Sequence, residues 1–388
     1  MPRDSLNQPL TIGTTTLRNR IVMSPMTRGY SPDGAPTDAV AQYYARRALG
    51  GAGLLITEGV GIDHPSALGD AGLGEDHIPV MFGDAALRGW KHVVDRVHAA
   101  GGRIIPQLWH QGVMRIPGTG PVPDAPTIGP SGIWGPLGIT SLDAGKIPQN
   151  PVLGRALTDE QVEDIIQSFA LAAVSAASVG FVGIALHGGH GYLLDNFLWS
   201  GTNTRDDRWG GDRKRRSEIV VQIVRQVRQS IDGPLPIFFR FSQWKQQDYR
   251  AKLAETPGEL EEVLGPLADA GVDVFDASVR YFDTPAFPGS ELNLAGWAKK
   301  LTGKFSMTVG GVGINKDTGV PNHKARSDAA SDVKASDNLD LVARRFERGE
   351  FDLVAVGRAM IGDPDWARKA LSGVLPEAYH PRHLDSLR

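Results

Sequence analysis

Cysteine is absent from all 388 residues. That absence excludes a disulfide scaffold, thiolate-bound zinc, protein-ligated iron–sulfur clusters and a cysteine nucleophile. It leaves the redox compartment open, because a chain without thiols suits either. An excess of one charge is also missing: 41 Lys and Arg stand against 44 Asp and Glu, a formal net charge of −3. Nucleic-acid recognition leaves a basic footprint, so no nucleic-acid partner is expected. The opening run Met1-Pro2-Arg3-Asp4-Ser5-Leu6 lacks the apolar core of a secretory signal, and the expected location is cytoplasmic. One uncharged stretch, 169–186, approaches the lower length of a membrane span. It contains Ser175, Ser178, Gly180 and Gly183, and reads better as a buried helix turning at Gly180 into a buried strand. No membrane partner is expected. The Gly-x-Gly-x-x-Gly turn of a dinucleotide-binding sheet is missing too: none follows Met26, and Gly311-Val312-Gly313 lacks the third glycine.

Short apolar runs alternate with longer helical stretches throughout. Strands are expected at 20–26, 53–60, 103–110, 181–187, 236–242, 272–278, 305–312 and 351–357. They are nearly continuously apolar, as parallel strands covered on both faces must be. Helices are expected at 84–100, 158–179, 212–231, 257–270, 292–302 and 338–348, several ending at a glycine such as Gly180, Gly271 or Gly349. Eight strand–helix alternations give the α/β class and a closed (β/α)8 TIM barrel, as one domain over 1–388. Two connections exceed a turn. Residues 111–157, after the third strand, hold eight of the 26 prolines and read as a lid or wall. Residues 315–336, after the seventh, are polar and broken by Pro and Gly. Their role is left open, as is that of the charged segment 243–253.

In a barrel the chemistry sits at the C-terminal ends of the strands. Those ends carry Ser24-Pro25-Met26-Thr27-Arg28, Thr57-Glu58-Gly59, Gln107-Leu108-Trp109-His110, His187-Gly188-Gly189-His190-Gly191-Tyr192, Arg240-Phe241-Ser242, Gly310-Gly311-Val312-Gly313 and Gly357-Arg358. Glycine turns after strands seven and eight let backbone N–H groups approach an anion, and Arg358 adds a charged donor, which suggests a phosphate site. Arg240 ends an apolar strand and needs an anionic or electron-rich partner, either a ligand or an acidic neighbour. Gln107 can pair with a heterocycle edge. Three readings stay open for His187, His190 and Tyr192. They are donors to a carbonyl oxygen with a proton source, a metal pair lacking a third ligand, or a packed polar turn. Gly188, Gly189 and Gly191 are expected to leave room for a flat ligand.

Ser-Pro-Met-Thr-Arg (24–28), Ile-Thr-Glu-Gly (56–59), Pro-Gln-Leu-Trp-His-Gln-Gly (106–112) and the block from His187 to Gly211 together resemble the Old Yellow Enzyme family of NAD(P)H:flavin oxidoreductases. The resemblance extends from about residue 6 to about residue 371, in the family's order. It implies bound FMN, with NADPH or NADH as hydride donor in a ping-pong exchange through flavin N5. It also implies an α,β-unsaturated carbonyl as small-molecule substrate. Pro25, Met26, Thr27 and Gly59 would line the isoalloxazine, Gln107 its pyrimidine edge and Arg240 its N1/C2 side. Gly311, Val312, Gly357 and Arg358 would hold the phosphate. His187 and His190 would grip the substrate oxygen, Tyr192 would donate the proton, and Trp109 would face the substrate. No metal is expected. Thr27 stands where some relatives carry cysteine, and His190 where others carry asparagine. Nitroester or nitroaromatic reduction, demethylation of N-methyl substrates, and a non-catalytic flavin- or phosphate-binding barrel are the alternatives. A Schiff-base aldolase would need a strand-end lysine, which Asp276-Ala277-Ser278 lacks. The number of subunits is not legible.

Overall fold

The computed structural model describes residues 3–70, 77–140, 142, 144–314 and 338–388. Eight parallel strands close into a barrel in sequence order. They are β1 (Ile21–Met23), β2 (Leu54–Gly61), β3 (Ile104–Trp109), β4 (Ile184–His187), β5 (Ile237–Ser242), β6 (Val274–Ser278), β7 (Phe305–Val309) and β8 (Leu353–Val356). All eight fall on the runs expected from hydrophobicity, so the (β/α)8 reading holds. The outer helices are α1 (Asp38–Leu49), α2 (Asp84–Ala99), α3 (Asp159–Ser178), α4 (Arg213–Ser230), α5 (Pro257–Ala270), α6 (Leu294–Thr302), α7 (Leu339–Glu347) and α8 (Trp366–Leu371). The sequence reading omits α1 and α8. Among the described residues no helix is long and apolar enough to cross a membrane. The uncharged stretch 169–186 divides into the end of α3, a left-handed Gly180 and the start of β4.

Strand side chains alternate with a period of two, and here that period builds the barrel in layers. Val22, Ile56, Ile105, Ala185, Phe238, Val274, Met307 and Ala355 pack together as its interior. A hairpin of Leu10–Ile12 and Thr15–Leu17 adds Ile12 and Leu17 to that cluster. Two residues further along five of the strands come Ser24, Gln107, His187, Arg240 and Asp276, all buried. The polar ring is therefore the next inward layer at the C-terminal mouth. It follows from strand register rather than from loop placement.

One strand breaks the period. The β2–β3 register shifts between Ile56 and Gly59, giving β2 an extra residue. This β-bulge re-aims the side chains beyond it. Gly59 comes to line the mouth, while Glu58 accepts the backbone N–H groups of Arg28 and Gly29 at 2.8 and 2.9 Å. Burial raises the Glu58 carboxyl to about 7 against those two bonds. The turn that carries Met26 and Thr27 is thus tied to β2.

Loop 111–157 winds around Arg115, whose guanidinium donates to the carbonyls of Leu68, Thr119, Val122 and Ala125 at 2.7–3.0 Å. Its far side meets the segment after β5. Thr140 Oγ donates to the Gln246 carbonyl at 2.6 Å, and the Gly138 N–H to that of Gln247 at 3.0 Å. The connection 315–336 lies outside the described residues.

Candidate active site

The mouth holds a cavity lined by Pro25, Met26, Thr27, Gly59, Gln107, Trp109, His187, His190, Tyr192, Arg240, Trp244 and Gln246. Each position follows from an adjacent strand end. His187, Arg240 and Asp276 are direct neighbours in register across β4, β5 and β6. Arg240 Nε donates to Asp276 Oδ2 at 2.5 Å, and a terminal nitrogen donates to Ser24 Oγ at 3.0 Å. Arg240 therefore has the acidic neighbour that one reading of it expected, and it also lines the cavity. Burial, and next the Arg240 charge, hold His187 well below the ordinary histidine range. That shift disfavours the charged form, and a neutral imidazole can donate one hydrogen bond and accept another. Gln107 Nε2 and His187 Nδ1 are buried without a protein partner. Unpartnered buried groups at a cavity mark it as built for a polar ligand.

Trp109, His187, His190 and Tyr192 form an aromatic cluster. Tyr192 meets Trp109 edge-on at 4.8 Å between centroids and His187 at 4.9 Å. Gly59 permits this arrangement: a Cβ there would lie 2.5 Å from the Trp109 ring. His190 adopts a left-handed backbone at φ 67, followed by Gly191 at φ 85. A non-glycine residue in that region needs its surroundings to hold it there. Ser242 Oγ accepts the His190 N–H at 2.9 Å, and Ser278 Oγ bonds His190 Nε2 at 2.7 Å. The Trp244 ring stacks on the imidazole at 4.3 Å. The neighbouring glycines do not leave space for a ligand, contrary to the sequence reading. A Cβ at Gly188 would fall 2.2 Å from the Phe239 ring, and one at Gly191 2.1 Å from Gln247 Oε1. At Gly189 it would meet the Ser242 N–H nitrogen at 3.1 Å. All three are needed so that the segment can lie against β5 and its loop.

A second cavity continues the first through the shared residues Met26 and Trp244, and is lined by Val309, Gly310, Gly311, Val312, Gly357 and Arg358 with Arg280 and Tyr281. Every site residue expected from the sequence therefore falls along one groove. Trp244, Gln246, Arg280 and Tyr281 were missed. They follow β5 and β6 directly, where a barrel places its site, but the charged run 243–253 masked the first two. No described residue of 111–157 lines the first cavity. That loop instead backs the 244–247 segment that does.

Residues 5–377 match the model of the NADH:flavin oxidoreductase / NADH oxidase family. An NADH oxidase of Thermoanaerobacter brockii is 31% identical over 370 residues, 93% of this chain and 50% of its own length. The chain thus spans about half the length of that relative. An NADPH dehydrogenase of Halalkalibacterium halodurans is 30% identical over 92% of this chain and 90% of its own. The structure of an old yellow enzyme homologue from Zymomonas mobilis matches with a TM-score of 0.74 and 27% identity, covering 96% of this chain and 94% of that one. Morphinone reductase in complex with tetrahydroNAD matches with a TM-score of 0.76 and 25% identity, covering 98% and 94%. The chain belongs to the NADH:flavin oxidoreductase / NADH oxidase family, the Old Yellow Enzyme family of FMN-binding barrels.

Proposed function

We propose that the protein is an FMN-dependent NAD(P)H oxidoreductase that reduces the activated C=C bond of α,β-unsaturated carbonyl compounds, with Tyr192 as proton donor. The observation that carries the reading is the single groove, with two imidazoles and a phenol at one end and Arg358 among glycines at the other. Its residues fit FMN. The unpartnered Gln107 Nε2 suits an acceptor on the pyrimidine edge of the flavin. Arg240, held by Asp276, places positive charge near it. Pro25, Met26, Thr27 and Gly59 line the ring portion. Gly311, Val312, Gly357 and Arg358 would hold the phosphate; a side chain at Gly311 would press on Tyr281 at 3.1 Å. When bound, FMN would supply two-electron hydride chemistry between NADPH or NADH and the substrate.

The chain's own residues do the rest. His187 and His190 donate to the carbonyl oxygen and lower the cost of the negative charge that develops there. Ser278 orients the second imidazole, Trp109 packs against the substrate, and the Tyr192 O–H protonates the α-carbon. The test is anaerobic. Holoprotein should bleach on mixing with NADPH or NADH and recover its yellow colour with cyclohexenone or a maleimide, yielding the saturated product. A protein that takes up no FMN, or whose reduced form no enone reoxidises, would refute the proposal.

A phenol mimics the enolate oxygen, so its affinity reports on His187. His187→Ala should weaken phenol binding by about tenfold, the worth of one hydrogen bond to a charged acceptor. Burial, and next the Arg240 charge, hold His187 well below the ordinary histidine range, which disfavours its charged form. A flavin-absorbance titration of phenol binding should therefore show no break from this imidazole, beside those of the ligand and of Glu58, whose carboxyl is raised to about 7. A break near 6.5 that disappears in His187→Ala would mean that the imidazole titrates and is a cation when it binds.

A further inference from the structure

The two cavities of the groove do not exhaust the mouth of the barrel. A third, of about 480 Å3, is larger than either of them, at about 170 and 190 Å3. It is built by the segments that follow β5 and β6 and by the start of α6. Trp244 borders all three cavities, and Val279, Arg280 and Tyr281 are shared with the phosphate end. Among the described residues its wall carries Arg250, Lys252 and Arg280 and no carboxylate. Lys252 is paired with Glu255 at 2.7 Å, whereas among the described residues neither Arg250 nor Arg280 has an acidic partner. Arg280 instead lies over the Tyr249 ring at 5.4 Å, and Tyr249 meets Trp244 edge-on at 5.6 Å. Like charges on one concave wall repel, and a bound anion relieves that repulsion. The aromatic rings beside them suit a flat heterocycle.

We propose that this cavity receives the adenosine phosphates of the hydride donor, with Arg250 and Arg280 as their cations, and that it makes NADPH the preferred donor over NADH. The inference rests on the reading of the groove as a flavin site. Hydride passes only between atoms in contact, so the nicotinamide must reach the ring portion. The adenosine end, with its diphosphate and in NADPH a further 2′-phosphate, must then leave the groove. The phosphate end is assigned to FMN itself, through Gly311, Val312, Gly357 and Arg358. A cavity inside loop 111–157, of about 210 Å3, is a poor exit, since it shares no lining residue with the ring portion. Arg115 in its lining already donates to four backbone carbonyls. The third cavity combines guanidinium groups without acidic partners, aromatic walls and continuity with the ring portion at Trp244. A guanidinium can bind a phosphate through two parallel bonds, and each further phosphate charge strengthens the attraction. Side-chain cations thus take the part that a glycine-rich turn plays in a dinucleotide-binding sheet.

The experiment follows anaerobic bleaching of the holoprotein by NADPH, by NADH and by N-benzyl-1,4-dihydronicotinamide, which carries hydride but has no adenosine half. In wild type, NADPH should half-saturate the reaction at a concentration about tenfold below NADH. Arg250→Ala should raise the NADPH value about tenfold with the limiting rate kept, the worth of one charge-assisted bond. Arg250→Glu should raise it further, and added salt should weaken NADPH more in wild type than in either variant. The benzyl donor should not distinguish the three proteins. Adenosine 2′,5′-bisphosphate should compete with NADPH, and more weakly in Arg250→Ala. Arg250 is exposed, so both variants should fold, and flavin content checks it. Equal half-saturation by NADPH and NADH in wild type, or an unchanged NADPH value in Arg250→Glu, would overturn the inference. So would equal slowing with all three donors. A variant that bleaches normally but is reoxidised slowly by an enone bearing a carboxylate would give the cavity to the oxidant and overturn it too. Failure of every donor to bleach the flavin would instead overturn the reading of the groove on which it rests.

Discussion

Replacing Tyr192 by phenylalanine is expected to slow enone reduction by about a hundredfold or more, the typical worth of a positioned general acid, while bleaching by NADPH or NADH changes little. The ring itself is structural. It is nearly buried and meets Trp109 and His187 edge-on, and phenylalanine keeps both contacts. The hydroxyl accepts a bond from Gln246 Nε2, worth about 1 kcal/mol. The variant therefore isolates the proton. Its two half-reactions separate because only the second needs a proton placed on carbon. Rapid-mixing absorbance measures both on one preparation. If bleaching and recovery slowed by the same factor, the phenol would be acting through the cavity's shape, and another group would carry the proton.

The barrel was legible because its strands are buried on both faces. Runs such as Ile237 to Phe241 and Leu353 to Val356 read as strands without any motif. The polar residues that interrupt such runs, Gln107, His187 and Arg240, stand out for the same reason. Each is the first hydrophilic residue after an apolar interior layer, and register brings them into one ring. Less legible was whatever depends on pairings between distant segments. Gly188, Gly189 and Gly191 look like space for a ligand, yet they are contacts with Phe239, Ser242 and Gln247. The charged run 243–253, with its Lys, Arg and Gln, could not be placed in the site from its pattern. In fact Lys245 is fully buried, and its two neighbours form a wall of the site. No local pattern distinguishes a lysine that will meet a buried aspartate from one that will meet water. Asp195 lies 50 positions away and carries no signature of its own.

That pair predicts the largest effect on stability. Lys245 Nζ lies 2.7 Å from Asp195 Oδ1, and both side chains are 0% exposed. Asp195 Oδ2 also accepts the N–H of the left-handed Gly191 at 2.7 Å, between His190 and Tyr192. Lys245→Met matches the alkyl chain but leaves a buried carboxylate without its cation. Breaking such a pair from one side costs about 3–5 kcal/mol, which should appear as a lower thermal or denaturant midpoint. Lys245→Met/Asp195→Asn removes the second charge and keeps an acceptor for Gly191. It should recover most of the loss, as neutral replacements of buried pairs do. The pH dependence gives a further check. Burial raises the Asp195 carboxyl even against the lowering effect of Lys245, so loss of the lysine raises it more. A carboxyl raised in the folded state binds more protons there than in the unfolded chain. Stability must therefore fall as pH rises between the unfolded and folded values, and return on acidification. The single variant should accordingly approach wild type as the pH drops below the raised value of its carboxyl, whereas the double variant should show no such recovery. A single variant as stable as wild type at pH 8, or a double variant no more stable than the single one, would show that Lys245 does not neutralise Asp195. Flavin content and enone turnover should follow the same order, because the carboxylate that Lys245 balances also holds the backbone between His190 and Tyr192.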